Sequence, residues 1–158
     1  MDCVSLAQQG NLEQLQRLIS QGADPQTPGP DGTTPLIAAA EAGHLAVVQW
    51  LVEHGVDPRQ GDHDGWTALM GAAASGHLPV VDYLLKQGSD LNAQSSLGLS
   101  ALMAAAAKGH GTIVDFLIDQ GADLNLRDQN SWTALIWAAS EHQTAIVEAI
   151  KAARQAKI

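Results

Sequence analysis

Histidine and carboxylate side chains are the residues of this sequence best suited to bind a metal or to transfer protons. Three of the six histidines, His44, His77 and His110, recur at an interval of 33 residues. A metal centre needs its ligands around one ion, whereas residues at a fixed interval fall in successive structural units. We therefore interpret these three histidines as structural.

The segment Asp62-His63-Asp64 is the one close grouping of a histidine with carboxylates, and it falls at a predicted turn. Structural zinc sites use four ligands, and this grouping offers no fourth. The sequence also lacks an activated Ser or Cys nucleophile and any glycine-rich phosphate-binding motif. We expect a protein that is not an enzyme and has no cofactor or metal. Metal binding at His63 is kept as the least favoured alternative.

The element that positions these residues is a repeated unit of 33 residues. The segment 64–96 matches 31–63, 97–129 and a shortened copy that begins at Asn130. A period of this size is typical of stacked-repeat proteins. The columns in phase include Leu36, Leu69, Leu102 and Leu135, together with Ala39, Ala72, Ala105 and Ala138.

The unit has the pattern D-G-x-T-[PA]-L-x-x-A-A-x-x-G-H, followed by branched aliphatic residues and G-x-D-x-N. This pattern resembles the ankyrin repeat over nearly the whole chain. The resemblance implies an all-α solenoid of paired antiparallel helices with protruding β-turn or hairpin loops. It also implies that the periodic histidines bond to backbone carbonyls between turns. The histidine usual after Thr-Pro-Leu is replaced by Ile37, Met70, Met103 and Ile136, so the pattern favours no particular subfamily.

On this pattern, residues 1–158 form one domain of five units. Terminal units need a polar outer face, since nothing stacks on them. The units are an N-terminal capping repeat (1–30), full repeats 31–63, 64–96 and 97–129, and a C-terminal capping repeat (130–158). The first helices are predicted at 34–42, 67–75, 100–108 and 133–141, and the second helices at 44–54, 77–87, 110–120 and 143–155.

Small polar residues and glycines mark the ends of the first helices. Hydroxyl side chains are good N-caps, and glycine readily adopts the left-handed conformation that ends a helix. His142 stands where the other units have this glycine, so a positive φ there would be strained. The predicted N-caps are Thr34, Thr67, Ser100 and Thr133, and the predicted terminating glycines are Gly43, Gly76 and Gly109.

Charge and cysteine content limit the class of partner and the compartment. The net charge of −9 argues against nucleic acid and anionic membranes and favours a basic or neutral partner. The single cysteine, Cys3, lies in an apolar column, so we interpret it as a small buried hydrophobe. The start of the sequence does not resemble a signal peptide, and no apolar stretch reaches membrane-spanning length. We expect a monomeric cytoplasmic protein that could also enter the nucleus.

Residues that repeat packing does not require are the candidate binding residues. The resemblance implies that the position before the capping Thr, the turn tips and one side of the first helix face a concave groove. Clustered exposed aromatic residues are typical binding anchors; the alternative is that the indoles only pack over a neighbouring turn. The apolar stripe predicted this way is Trp66, Leu99, Trp132 and Trp137, with His63, Asp64, Leu97 and Asn130 at the tips.

Asn92 and Asn125 each follow a leucine of the second helix by eight residues. The resemblance implies that such asparagines can be substrates of an asparaginyl hydroxylase. The alternative, which we favour, is that Asn is used there for its loop conformation and backbone hydrogen bonds.

These observations predict a protein-binding module that acts as an adaptor or an inhibitor. An extended or helical peptide with basic and apolar residues would suit the predicted groove. The alternatives are a scaffold without a groove partner and an engineered repeat protein. Divergence between the units argues against copies of one consensus sequence.

Overall fold

The computed structural model describes residues 1–157 and, over that range, consists of ten α-helices joined by turns. The helices are α1 (Cys3–Gln8), α2 (Leu12–Ser20), α3 (Pro35–Ala42), α4 (Leu45–Glu53), α5 (Ala68–Ser75), α6 (Leu78–Lys86), α7 (Ala101–Lys108), α8 (Gly111–Asp119), α9 (Ala134–Ser140) and α10 (Thr144–Ala156). The all-α prediction is confirmed. Most predicted bounds are one residue too wide, because cap residues flank a helix rather than belong to it.

The helices stack in two rows. The inner helices contact one another in the order α1, α3, α5, α7 and α9, and the outer helices α4, α6, α8 and α10 contact in turn. Each inner helix also packs on the outer helix that follows it. The predicted alanine column is fully buried at Ala39, Ala72, Ala105 and Ala138. The core is therefore a ribbon that follows the stack, as expected for a solenoid.

The starts of the inner helices show the predicted caps with one difference. The hydroxyls of Thr34, Thr67 and Ser100 each accept a hydrogen bond, at 3.3 Å, from the backbone N–H three residues later. Thr133 has the same extended backbone, but its side chain makes no capping bond. The first turn of α9 therefore lacks a bond that the three full units have.

Glycines end the inner helices in the left-handed conformation, with φ of 78°, 85° and 80° at Gly43, Gly76 and Gly109. His142 occupies the same position with φ 58°, so the predicted strain is present. Ser131 also has a positive φ, 62°, where the preceding units have Gly32, Gly65 and Gly98. That second strained position was not predicted.

The periodic histidines connect successive units. Nε2 of His44, His77 and His110 lies 2.9–3.0 Å from the backbone oxygens of Gln8, Glu41 and Ala74. The structural interpretation is confirmed. The rings also require the glycines, because a Cβ at Gly43 would lie 2.5 Å from Nδ1 of His77.

Protruding turns, which we call fingers, lie at residues 29–33, 62–66, 95–99 and 128–132. A backbone hydrogen bond of 2.8–3.0 Å joins the first and last residues of each finger. Backbone bonds also join the last three fingers: Ser96 N–H donates to Asp64 (2.7 Å), and Gln129 N–H donates to Leu97 (2.9 Å). Within residues 1–157, no such bond joins the first finger to the second.

Cys3 is 6% exposed and has no disulfide partner, in agreement with its interpretation as a buried hydrophobe. Burial raises the pKa of its thiol, and the charges of Asp2 and Asp24 raise it further. The thiol is therefore a poor nucleophile. No helix in the described part of the chain combines the length and apolarity needed to cross a membrane.

Candidate protein-binding groove

The fingers and the inner helices α5, α7 and α9 enclose a groove of about 180 Å³, which we call the apolar groove. Trp66 and Leu99 enter it from the last residues of two fingers, and Trp137 enters it from α9. Its other walls are alanine and methionine side chains, and the ammonium group of one lysine lies at the rim. The lining residues are Trp66, Ala74, Leu99, Met103, Ala104, Ala107, Lys108 and Trp137.

Trp66 is held in place by two carboxylates. Its indole Nε1 donates to Oε1 of Glu41 at 3.1 Å, and its backbone N–H donates to Oδ1 of Asp62 at 2.9 Å. Glu41 reaches the indole by crossing over Gly71, where a Cβ would lie only 2.6 Å from Cγ of Glu41. The sequence signal for this contact is the glycine itself, which interrupts a column otherwise filled by Ala38, Ala104 and Trp137.

Trp137 is held in a similar way by Asp128, which is 8% exposed. Oδ2 of Asp128 accepts from the indole Nε1 at 2.9 Å, and Oδ1 accepts from the backbone N–H groups of Asn130 (2.8 Å) and Trp132 (2.9 Å). One carboxylate therefore shapes the last finger and orients the tryptophan of the following helix. No sequence motif singled out Asp128, so this role was not predicted.

The structure brings three of the four residues of the predicted apolar stripe into one groove. Trp66, Leu99 and Trp137 line one groove, whereas Trp132 lies beside it and packs edge-on against Trp137, with ring centroids 5.0 Å apart. The four predicted tip residues are exposed, and Leu97 is 53% exposed. Trp132 thus packs on the first helix of its own unit, whereas Trp66 contacts Glu41 of the preceding unit. The tip residues are His63, Asp64, Leu97 and Asn130.

A second hollow of about 220 Å³, the polar pocket, lies at the equivalent position between α1 and α3. Thr33 occupies here the column of Trp66 and Leu99. Hydrogen bonding from Thr33 lowers the pKa of Asp31 below its ordinary value. The polar side chains that line the pocket are Gln8, Asp31, Thr33 and Glu41.

Glu41 lies at the border of the two hollows. The residue is exposed overall, but its carboxylate end lies against Trp66 and is partly buried. This burial raises the pKa of Glu41; the indole N–H of Trp66 opposes the rise, and the charges of Asp62 and Asp31 add to it. The ionised form of Glu41 is therefore less favoured than that of an ordinary glutamate.

The predicted metal alternative at His63 gains no support. Among residues 1–157, no three His, Cys, Asp or Glu side chains are arranged to hold a metal ion. Asp62 uses Oδ1 to accept from the backbone N–H groups of Asp64 and Trp66. The His63 ring lies over Gly32, where a Cβ would be 2.7 Å from Nδ1.

Asn92 and Asn125 are both exposed. Oδ1 of Asn92 accepts from the backbone N–H of Asp123 in the next unit at 2.8 Å, which accounts for the choice of Asn in structural terms. Oδ1 of Asn125 lies 3.5 Å from Nη2 of Arg154. Hydroxylation of either residue stays a prediction.

A larger cavity of about 510 Å³ adjoins the polar pocket, with which it shares Val4, and lies between α1 and the loop that carries Pro28 and Pro30. It contains none of the residues predicted to bind a partner.

The comparisons with known proteins agree with this architecture. A family model described as ankyrin repeats (3 copies) matches residues 3–95 and 87–158. The chain therefore belongs to the ankyrin repeat family. No match to a curated protein was found. Ankyrin repeats are generally modules for protein–protein interaction, which gives the class of function.

Proposed function

We propose that this chain binds a partner protein through the apolar groove, with Trp66, Leu99 and Trp137 as the anchoring residues. The observation that carries the proposal is a groove of about 180 Å³ with almost entirely apolar walls on the surface formed by the fingers and the inner helices. Surface hollows of this kind are typical of sites where a partner inserts an apolar side chain. The protein would act as an adaptor or as an inhibitor of its partner.

The groove is preorganised, which supports the proposal energetically. Both indoles that line it are already fixed by hydrogen bonds to Glu41 and Asp128. A partner would not have to order these side chains, and an immobilised side chain otherwise costs about 0.5–1.5 kcal/mol on association. The groove can therefore give useful affinity from a small contact area.

The surroundings of the groove favour a partner segment that carries basic and apolar residues. The exposed tips His63, Asp64, Leu97 and Asn130 would contact the same segment at the rim. The chain carries 17 acidic against 8 basic residues, so nucleic acid and anionic membranes are poor partners. We further propose that residues 1–158 act as one monomeric domain.

The test is a capture experiment with purified chain and lysate, read by quantitative mass spectrometry. The variant Trp66→Ala/Leu99→Ala removes two groove anchors, and we expect its partners to fall by at least tenfold, since a hot-spot truncation costs about 2 kcal/mol. The matched control is Trp50→Ala on the outer helix α4, where the indole stacks on His54 at 3.9 Å.

Circular dichroism must show that both variants keep the helical content of the wild type. Loss of the same partners in Trp50→Ala would mean that the effect is not specific to the groove. If the folded groove variant captures the same proteins as the wild type, the proposal is wrong and the outer helices become the site to investigate.

A further inference from the structure

We infer that one extended segment of the partner binds across both hollows in a fixed order. A Lys or Arg of the segment occupies the polar pocket, and a large apolar side chain about six residues away occupies the apolar groove. This inference rests on the proposed function, and it assigns Asp31 and Glu41 as the residues that determine specificity.

The two hollows belong to one surface. Thr33, Trp66 and Leu99 are equivalent residues of successive units, and so are Glu41 and Ala74. The polar pocket lies between α1 and α3, and the apolar groove extends from α5 to α9. A segment that runs along the stack therefore meets the two hollows one after the other.

The distance between the two hollows sets the spacing of the partner's two side chains. Packed helices lie about 8–10 Å apart, and the centres of the two hollows are separated by slightly more than two inner helices. This places them about 20 Å apart. An extended chain advances about 3.3 Å per residue, so about six residues span that distance.

The charge of the polar pocket favours a cationic side chain. The ion pairs within residues 1–157 use the acidic residues Glu13, Asp57, Asp82 and Glu148, so Asp31 and Glu41 have no cationic partner there. Glu41 is partly buried and lies near other carboxylates, so its charge is poorly stabilised. A cationic side chain from a partner would neutralise it, and such pairing stabilises a carboxylate most where water is partly excluded.

The rim of the apolar groove fixes the order of the two side chains. Lys108 stands at the rim of the apolar groove, and the walls there offer no carboxylate to a cation. A basic residue placed at that end would meet a like charge and a desolvating apolar surface. The reverse arrangement of the segment is therefore disfavoured, and the cation belongs at the Asp31–Glu41 end.

The experiment uses displayed random 12-residue peptides selected on the immobilised full chain. The probe for affinity is the best synthetic peptide, measured by fluorescence anisotropy. Three variants are compared with the wild type: Asp31→Asn/Glu41→Gln, Trp66→Ala/Leu99→Ala, and the charge-matched control Glu53→Gln/Asp119→Asn on the outer helices. Asn and Gln can keep the bonds to Thr33 and Trp66, so the first variant is expected to fold.

We expect the wild type to select peptides with Lys or Arg about six positions from a large apolar residue. Asp31→Asn/Glu41→Gln should weaken the best peptide about tenfold, and should no longer distinguish it from a version with the basic residue changed to Ala. The control variant should bind like the wild type, which excludes an effect of net charge alone.

Two kinds of failure are distinguishable. If the selected peptides depend on Trp66 and Leu99 but show no spaced basic residue, or if Asp31→Asn/Glu41→Gln binds as well as the wild type, this inference is wrong and the proposed function stands. If no selected peptide distinguishes the wild type from Trp66→Ala/Leu99→Ala, the proposed function fails together with the inference.

Discussion

Two regions of the same surface, the polar pocket between α1 and α3 and the apolar groove across α5 to α9, have the same backbone design and different side chains. In the first, the finger ends at Thr33 and the helix presents Glu41; in the second, the equivalent residues are Trp66 and Leu99, with Ala74 and Ala107 on the helices. Either set of side chains is compatible with the packing of the repeats, because these positions lie outside the buried alanine column that joins the helices.

The fingers differ between the two regions as well. The last three fingers are joined by backbone hydrogen bonds, and buried Asp128 braces the last of them. The first finger has Gly29 where the second and fourth have Asp62 and Asp128, so no side chain at this position accepts the finger's N–H groups. The comparison shows a braced apolar half and a less braced acidic half on one scaffold.

The largest expected effect comes from removing the brace at Asp128. Asp128→Ala leaves two backbone N–H groups and the Trp137 indole without their acceptor in a buried site, and we expect a loss of about 3 kcal/mol in the free energy of unfolding. Asp62→Ala is the matched change two units earlier, where the carboxylate is half-buried and the indole bonds to Glu41 instead. We expect it to cost about 1 kcal/mol.

Urea unfolding followed by circular dichroism measures both losses, and hydrogen exchange of the last unit shows whether the damage is local. Equal costs for the two variants would mean that Asp128 is no special brace. The second and fourth fingers would then be braced to the same extent.

Much of this fold could be predicted from the sequence, because the period fixes columns whose roles depend on local rules. Gly43 and its equivalents, the periodic histidines and the hydroxyl caps all follow from backbone geometry repeated at one interval. The contacts that shape the groove could not be predicted, because they join residues from different units. Glu41 bonds to Trp66 only because Gly71 leaves room for it, and Trp137 bonds to an aspartate nine residues earlier. Such contacts depend on side-chain directions that the period does not specify.

The second prediction tests how closely the fingers of the apolar half are packed. Gly65 and Gly98 have φ of 70° and 78°, so an alanine at either is strained. A Cβ at Gly98 would also lie 2.7 Å from Cα of Asp128, whereas at Gly65 the nearest atom, Cα of Ser95, is 3.5 Å away. We expect Gly65→Ala to cost about 1 kcal/mol and Gly98→Ala about 2 kcal/mol, since backbone atoms cannot move aside cheaply.

Thermal and urea unfolding of the two glycine variants give the comparison directly. A cost for Gly98→Ala no greater than that for Gly65→Ala would show that the last two fingers can separate without loss. The close packing of the fingers would then be incidental to stability.

Substitution of the two strained residues in the last unit is expected to increase the free energy of unfolding, unlike the changes above. His142→Gly and Ser131→Gly relieve positive φ angles of 58° and 62°, and we expect each to stabilise the chain by about 0.5–1 kcal/mol. Ala139→Gly is the control, since an exposed helical position should instead lose about 1 kcal/mol. Midpoints of urea unfolding measure all three. A loss of stability in His142→Gly would mean that the imidazole makes contacts worth more than the strain.

The smallest effect lies at Glu41, on the border between the two regions. Its folded-state pKa is raised above the ordinary value of 4.5, so the folded state holds this proton more tightly than the unfolded state. The resulting stabilisation is fully present below the unfolded pKa and is lost as the pH rises through the folded pKa.

Glu41→Gln keeps an acceptor for Trp66 and carries no charge at any pH. The melting temperature of this variant minus that of the wild type should therefore increase as the pH rises from acid to neutral. A difference that stays constant with pH would show that the carboxylate is fully solvated in the folded state, and that the border between the two regions carries no electrostatic strain for a partner's cation to relieve.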